Sequence, residues 1–273
     1  MRGSRAAGDP SLRLLAIGDV FGDAGKRAVR KWLPRLRRDL DAGFVVVNVE
    51  NLHAGRGADP SGVREILESG ADCLTSGNHI FAHRSHPKLL EEESRLLRPA
   101  NYPEPCPGKG VGVGVSVDGA RVAVINLLGR LFVAPVDDPF RVADALLEEL
   151  EGSAEIVVVD FHAEATSEKL ALAHHLDGRV SAFFGTHTHV QTADARVLPK
   201  GTGYISDLGM TGPYASIIGM DVETAVRRFR TARPVRHTTA AEDVGLRGAL
   251  FEIDEVSGTC TAVTRVAKGA GGS

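Results

Sequence analysis

Five times along this chain a short apolar run stops at side chains that carry carboxylate, amide or imidazole donors. Leu12 to Ile17 breaks at Gly18-Asp19-Val20-Phe21-Gly22, and Phe44 to Val47 ends in Asn48-Val49-Glu50-Asn51. Asp72 to Thr75 leads into Ser76-Gly77-Asn78-His79, and Ile156 to Val159 ends in Asp160-Phe161-His162-Ala163-Glu164. Val180 to Phe184 delivers Gly185-Thr186-His187-Thr188-His189. Runs of this length, bounded by glycine and polar breaks, read as buried strands rather than helices. Segments of helical spacing lie between them, so the chain is expected to fold as α/β. Open α/β sheets bind ligands at the carboxyl ends of their strands. The polar ends are therefore expected at the carboxyl edge of one central sheet.

The remaining segments fit that frame. Val29, Leu33 and Leu36 define a helix over about Ala24 to Leu40, with a kink or early end at Pro34. Helices are also expected over Ser61 to Ser69, Phe140 to Glu151 and Val222 to Phe229, and after Thr166, a good N-cap. His83 to Gly114 is rich in proline and charge and reads as an irregular surface excursion. Gly112–Val117 and Arg121–Leu127 read as a hairpin closed by Asp118-Gly119 in a two-residue type I′ turn. Arg196–Pro199 and Gly203–Ser206 are short strands. Leu246–Ile253 and Thr259–Val266 alternate like an edge hairpin before a Gly-rich tail.

The chain has 273 residues, enough for one large domain; residues 1–11 read as a leader, 12–267 as a single domain and 268–273 as a flexible tail. A formal net charge of −3 gives no global attraction to nucleic acid or anionic membrane. The arginines of the first helix read as a solvated face. Cys73, Cys106 and Cys260 are odd in number and widely spaced, which argues against a disulfide framework or thiolate zinc site and fits a reducing cytoplasm. No segment has the length and apolarity of a membrane span or signal peptide.

Taken one at a time, the donors have ordinary readings. Asp19 closes a turn or caps a helix, Asn78 serves loop backbone, and His162 is a core histidine. Their shared placement after apolar runs favours ligation. Carboxylate, amide and imidazole donors without thiolate suit Mn, Fe or Zn. The set exceeds the needs of one ion and suits two, bridged by one carboxylate and presenting a hydroxide for in-line attack on phosphorus. Asp160 and Glu164, which flank His162, are expected to orient a ligand imidazole through its second nitrogen. His53, His83, His86, His174, His175 and His237 lack the strand-end placement and read as surface, helical or supporting residues, with His53 or His83 a candidate for substrate contact.

The five polar segments, together with Ala165-Thr166-Ser167-Glu168-Lys169 after Glu164, resemble the calcineurin-like metallophosphoesterases and, within them, the YmdB-like bacterial phosphodiesterases. Two departures from the wider superfamily pattern are shared with that branch: Phe21 stands where an Asp-x-His histidine is usual, and Glu50-Asn51 where a Gly-Asp pair is usual. The resemblance implies a mixed β-sheet sandwich flanked by helices. It also implies two divalent transition-metal ions, Fe or Mn, with Zn or Mg as alternatives. Asp19, Glu50, Asn51 and His189 would hold the first ion; Glu50, Asn78, His162 and His187 would hold the second, with Glu50 as the bridge. His79 would assist the leaving group. The implied substrate is a small phosphodiester of the 2′,3′-cyclic nucleotide class, with RNA ends a further candidate and a homo-oligomer a candidate assembly. Gly209 to Tyr214 resembles a family loop that contacts substrate or subunit. The rivals are a phosphomonoesterase or nucleotidase, and a regulatory protein that binds metal and nucleotide without turnover.

Overall fold

The computed structural model describes residues 11–236 and 238–270; the rest of the expected leader, His237 and residues 271–273 lie outside the described residues. In chain order the first half comprises β1 (Ser11–Ile17), α1 (Gly22–Asp39), β2 (Phe44–Asn48), α2 (Pro60–Glu68), β3 (Cys73–Thr75), α3 (His86–Glu92), β4 (Val111–Val115) and β5 (Arg121–Leu128). The second half comprises α4 (Pro139–Glu149), β6 (Ile156–His162), α5 (Thr166–Leu176), β7 (Ala182–Thr186), β8 (Arg196–Val197), β9 (Gly203–Ile205), β10 (Gly212–Pro213), α6 (Val222–Thr231), β11 (Val244–Asp254) and β12 (Cys260–Gly269).

The strands form two sheets rather than the one central sheet expected. One runs β10-β11-β1-β2-β3 with β12 added on β11, and the other runs β4-β5-β6-β7-β9-β8. Strand alternation explains why they stack. Leu12, Leu14, Ala16 and Val46 face Val124, Val158, Ala182 and Phe184 across a shared interior. On the opposite face of the first sheet, Leu15, Ile17, Val45 and Val47 pack on Val29 and Leu33 of α1 and Ile66 of α2. On the outer face of the second, Ile125, Val159 and Phe183 pack on Ala143 of α4 and Leu172 of α5. The fold is thus mixed α/β, two sheets flanked by helices.

Several local expectations are corrected. α1 continues through Pro34, which lies on its exposed side, where water can take the carbonyl left without an amide partner. The proline-rich excursion contains α3, opened by Pro87 in its first turn. The β4–β5 connection is five residues, Ser116 to Ala120, in place of a two-residue turn. Thr166 is the first helical residue of α5, and Ala165 is the cap, without a side-chain bond. β11 pairs with both β1 and β12, so of the two strands of the expected edge hairpin β12 alone is at an edge. β1 starts one residue inside the expected leader and β12 runs to Gly269, inside the expected tail. Gly209 to Tyr214 is largely buried and woven into the first sheet, where Gly212 and Pro213 pair with Gly245 and Val244.

Candidate metal centre

The carboxyl ends of β1, β2 and β3 meet those of β6 and β7, and the donors divide between the sheets by chemistry. The first sheet delivers the oxygen donors Asp19, Glu50, Asn51 and Asn78; the second delivers His162, His187 and His189. Asp19, Glu50, Asn51 and His162 are buried, while Asn78, His79, His187 and His189 are half-buried. Two local features let the imidazoles converge. A Cβ on Gly77 would stand 2.2 Å from His162 Cδ2, so only glycine admits the ring there. His187 and His189 have φ of 101° and 67°, a region few non-glycine residues occupy, and strain of this kind gathers at functional sites.

The hydrogen-bond partners fix each ring's tautomer. Thr186 Oγ1 donates its single proton to Asp160 Oδ1 at 2.8 Å, so at 2.9 Å it accepts from His162 Nδ1 and leaves Nε2 as a lone pair. Asp160 is held in turn by Thr75 Oγ1 and by Asn48 Nδ2 at 2.9 Å. His189 Nδ1 donates to the Ile218 carbonyl at 2.9 Å, again leaving Nε2 free. His187 Nε2 lies 3.1 Å from Glu164 Oε2, which leaves its Nδ1 as the lone pair. Both residues that flank His162 in sequence thus orient an imidazole: Glu164 that of His187, and Asp160 that of His162 through Thr186.

The free lone pairs face other acceptors. His162 Nε2 is 3.1 Å from Asn78 Oδ1 and 3.1 Å from His187 Nδ1. His189 Nε2 is 3.0 Å from Asn51 Oδ1, whose amide group donates away to Gly55 O at 2.9 Å. No proton lies between these atoms in the tautomers described, so a cation is the partner that satisfies them. Two ligands bound at right angles about 2.1 Å from one ion are about 3.0 Å apart, the spacing found here. Asp19 Oδ1 is a buried oxygen without a hydrogen-bond partner. No three His, Cys, Asp or Glu groups among the described residues are gathered as a ready ligand set. Two amides belong to this set, and Glu50 is turned onto the His79 amide, 2.9 Å from Oε1.

Titration behaviour agrees with the geometry. Burial, then the charges of Asp207 and Asp160, pushes Asp19 well above the usual carboxylate range. Burial raises Asp160 to about 6, against the pull of its three donors. Burial lowers His162 and His187, and lowers His189 to about 4 although part of that residue reaches solvent. The imidazoles are held neutral, the form that binds metal, and the acids lack a compensating positive charge.

Sequence reasoning missed the supports. Asn48, Thr75 and Thr186 are buried polar residues at strand ends and Asn126 is a buried polar residue within β5; Asn126 Oδ1 accepts from Ser76 N at 2.9 Å just before the Gly77-Asn78 turn. Lys169 Nζ donates to Asp207 Oδ2 at 2.8 Å and to Thr186 O at 2.9 Å, both residues being buried. Asp207 Oδ2 also accepts from Thr188 N at 3.0 Å, so this pair pins the segment between the two histidines. Of the other histidines, His86 is buried, with its ring edge-on to His83 at 5.0 Å, while His174 and His175 are exposed.

Two layers of sheet between helices, with oxygen and imidazole donors collected where the strand ends meet, define a calcineurin-like metallophosphoesterase. The model of the YmdB-like protein family matches residues 15–266, and the chain belongs to that family. A Bacillus subtilis (strain 168) protein named 2′,3′-cyclic-nucleotide 2′-phosphodiesterase is 46% identical over 255 residues, covering 93% of this chain and 96% of that protein. A Thermus thermophilus crystal structure, described as a hypothetical protein, superposes with a TM-score of 0.89 at 44% identity, covering 94% of this chain and 99% of the other. The crystal structure of a Mycoplasma pneumoniae protein described as a novel phosphatase gives a TM-score of 0.89 at 32% identity, covering 96% of this chain and 94% of the other.

Proposed function

We propose that this protein is a metal-dependent phosphodiesterase acting on cyclic nucleotides of the 2′,3′ class. The observation that carries the reading is the set of neutral imidazole lone pairs aimed at amide oxygens and, for His162 and His187, at each other. Asp19, Glu50, Asn51 and His189 would hold one ion, and Glu50, Asn78, His162 and His187 the other. Bound ions of this kind polarise phosphoryl oxygens and acidify water near neutral pH. Fe or Mn suits the thiolate-free donor set. The Bacillus relative's name supports the substrate class. The three cysteines are free, in keeping with a reducing compartment, and no helix of the described residues is long and apolar enough to cross a membrane.

The chain's own groups divide the remaining work. His79 stands beside Asn78, and its Nδ1 approaches Glu50 Oε1 to 2.6 Å. The two atoms lack hydrogen-bond geometry, so that carboxylate stands beside the ring without fixing it, and Nε2 would deliver a proton to the departing ribose oxygen. Thr186, Glu164 and the Ile218 carbonyl keep the ligand imidazoles in register. In a cyclic diester the leaving oxygen stays on the same ribose, so the product is a nucleoside monophosphate.

The test is turnover of 2′,3′-cyclic AMP by metal-stripped protein resupplied with Mn²⁺ or Fe²⁺. Metal-restored hydrolysis that favours bis- over mono-nitrophenyl phosphate supports the diesterase. The reverse preference assigns the site to phosphomonoesters, and two bound ions without turnover of any of these esters sinks the catalytic reading.

A further inference from the structure

The loop between β5 and α4 leaves the second sheet beside the candidate centre. Leu128, the last residue of β5, is paired with His162, and Gly129 N donates to His162 O at 2.9 Å. Buried Glu168 then accepts from Arg130 N at 2.8 Å and Leu131 N at 3.3 Å. Asn101 ties both ends, donating from its amide to Leu128 O at 2.7 Å and Asp137 O at 3.0 Å. A loop held at so many points is built to present something, and at its tip are Leu131, 48% exposed, and Phe132, 90% exposed. Phe132 has φ of 62°, which is costly for an aromatic residue.

Phe132 borders a cavity of about 860 Å³, lined also by Pro103, Arg130, Pro135 and Phe140. The volume is that of a small-ligand site. The cavity's lining is joined to the centre by two routes. On one, the loop starts at the His162 strand end. On the other, Pro103 follows Tyr102, whose ring meets Phe81 edge-on at 5.2 Å, and Phe81 lies on the same turn as Asn78 and His79.

We propose that this cavity is the nucleobase subsite and that Phe132 is the platform on which the base stacks. The inference rests on the nucleotide reading of the centre, since a phosphate held there needs room beside it for its nucleoside. Base stacking on one aromatic ring is worth roughly tenfold or more in affinity and tolerates any base, because every base has a π face. The pinned root of the loop lowers the backbone part of the ordering cost on binding.

The test measures binding of adenosine 3′-monophosphate and of inorganic phosphate to the metal-loaded protein by calorimetry, for wild type, Phe132→Ala, Phe132→Trp and Phe229→Ala. Phe229, 80% exposed on α6, controls for removal of an exposed ring. Phe132→Ala should weaken the nucleotide about tenfold and leave phosphate unchanged. Phe132→Trp should hold or tighten the nucleotide, and Phe229→Ala should match wild type. Equal affinity for nucleotide and phosphate in wild type, or a Phe132→Ala affinity equal to wild type, overturns the subsite. Nucleotide binding that depends on Phe132, without hydrolysis of any cyclic nucleotide, upholds the subsite and rejects the proposed reaction instead.

Discussion

His79 Nδ1 lies 2.6 Å from Glu50 Oε1, while the backbone amide of His79 donates to both oxygens of that carboxylate at 2.9 and 3.2 Å. Glu50 therefore anchors the backbone of His79 and stands close beside its ring, which is the imidazole left outside the proposed ligand set. Replacing His79 by Ala should leave the bound-metal content at its wild-type value and lower kcat by about 10²–10⁴-fold, the usual loss on removing a general acid. Metal analysis alongside steady-state kinetics decides it; a kcat within about threefold of wild type removes His79 from the chemistry.

Gly77 gives a second prediction of a different kind. Its missing Cβ is what lets His162 lie against the turn, with ring atoms 2.2 to 2.5 Å from where that carbon would stand. Gly77→Ala should yield a folded protein with a melting temperature within a few degrees of wild type, yet with weakened metal binding and little turnover, because the His162 ring must move off the turn. Full activity in this variant would mean the ring relocates freely, and that its placement is not the constraint described here.

The five apolar runs and the donors that end them were readable in the sequence because each run has a clear length and a clear break. Their division between two sheets was not. Periodicity reports that Leu14 and Leu15 face opposite ways, but not that Leu14 meets the second sheet and Leu15 meets α1. α3 was hidden by its brevity and its proline-rich surroundings. Among site residues, the candidate ligands announced themselves by type and position, whereas Thr186, Asn48 and Thr75 are ordinary polar residues whose shared partner, Asp160, lies 26, 112 and 85 residues away in the chain. Which imidazole Glu164 serves was not readable, since it stands two residues from His162 in sequence but reaches His187 at the neighbouring strand end.

The Lys169–Asp207 pair predicts a large cost for a residue that touches no proposed ligand side chain. Both partners are about 1% exposed, and Asp207 also accepts from Thr188 N and, at 2.8 Å, from Gly209 N. Lys169→Met leaves a buried carboxylate without its cation and should destabilise by about 3–5 kcal/mol. The double variant Lys169→Met/Asp207→Asn, which buries no net charge, should regain part of that loss. Urea denaturation of the four proteins in the cycle measures the coupling; additive losses would mean the two residues act independently.

Asp59 supplies the pH-dependent prediction, and it lies outside the metal centre. It caps α2, accepting from Gly62 N at 3.0 Å and from Ser61 Oγ. Burial alone would raise its carboxyl, but these donors outweigh burial and hold it below the usual carboxylate range. A group whose folded-state value is depressed contributes stability that is present above the unfolded value, about 3.9, and is lost as pH falls through the folded value. Asparagine caps nearly as well but does not titrate, so Asp59→Asn should remain within about 1 kcal/mol of wild type at pH 7. The wild-type advantage over Asp59→Asn should then shrink as pH falls below about 4, while Asp59→Ala, which loses the cap altogether, should be about 0.5–2 kcal/mol less stable than wild type at neutral pH. Denaturant midpoints for the three proteins across the acid range read this directly. A wild-type minus Asp59→Asn difference that grows on acidification would reverse the sign and show that the carboxyl is raised, not lowered, in the folded chain.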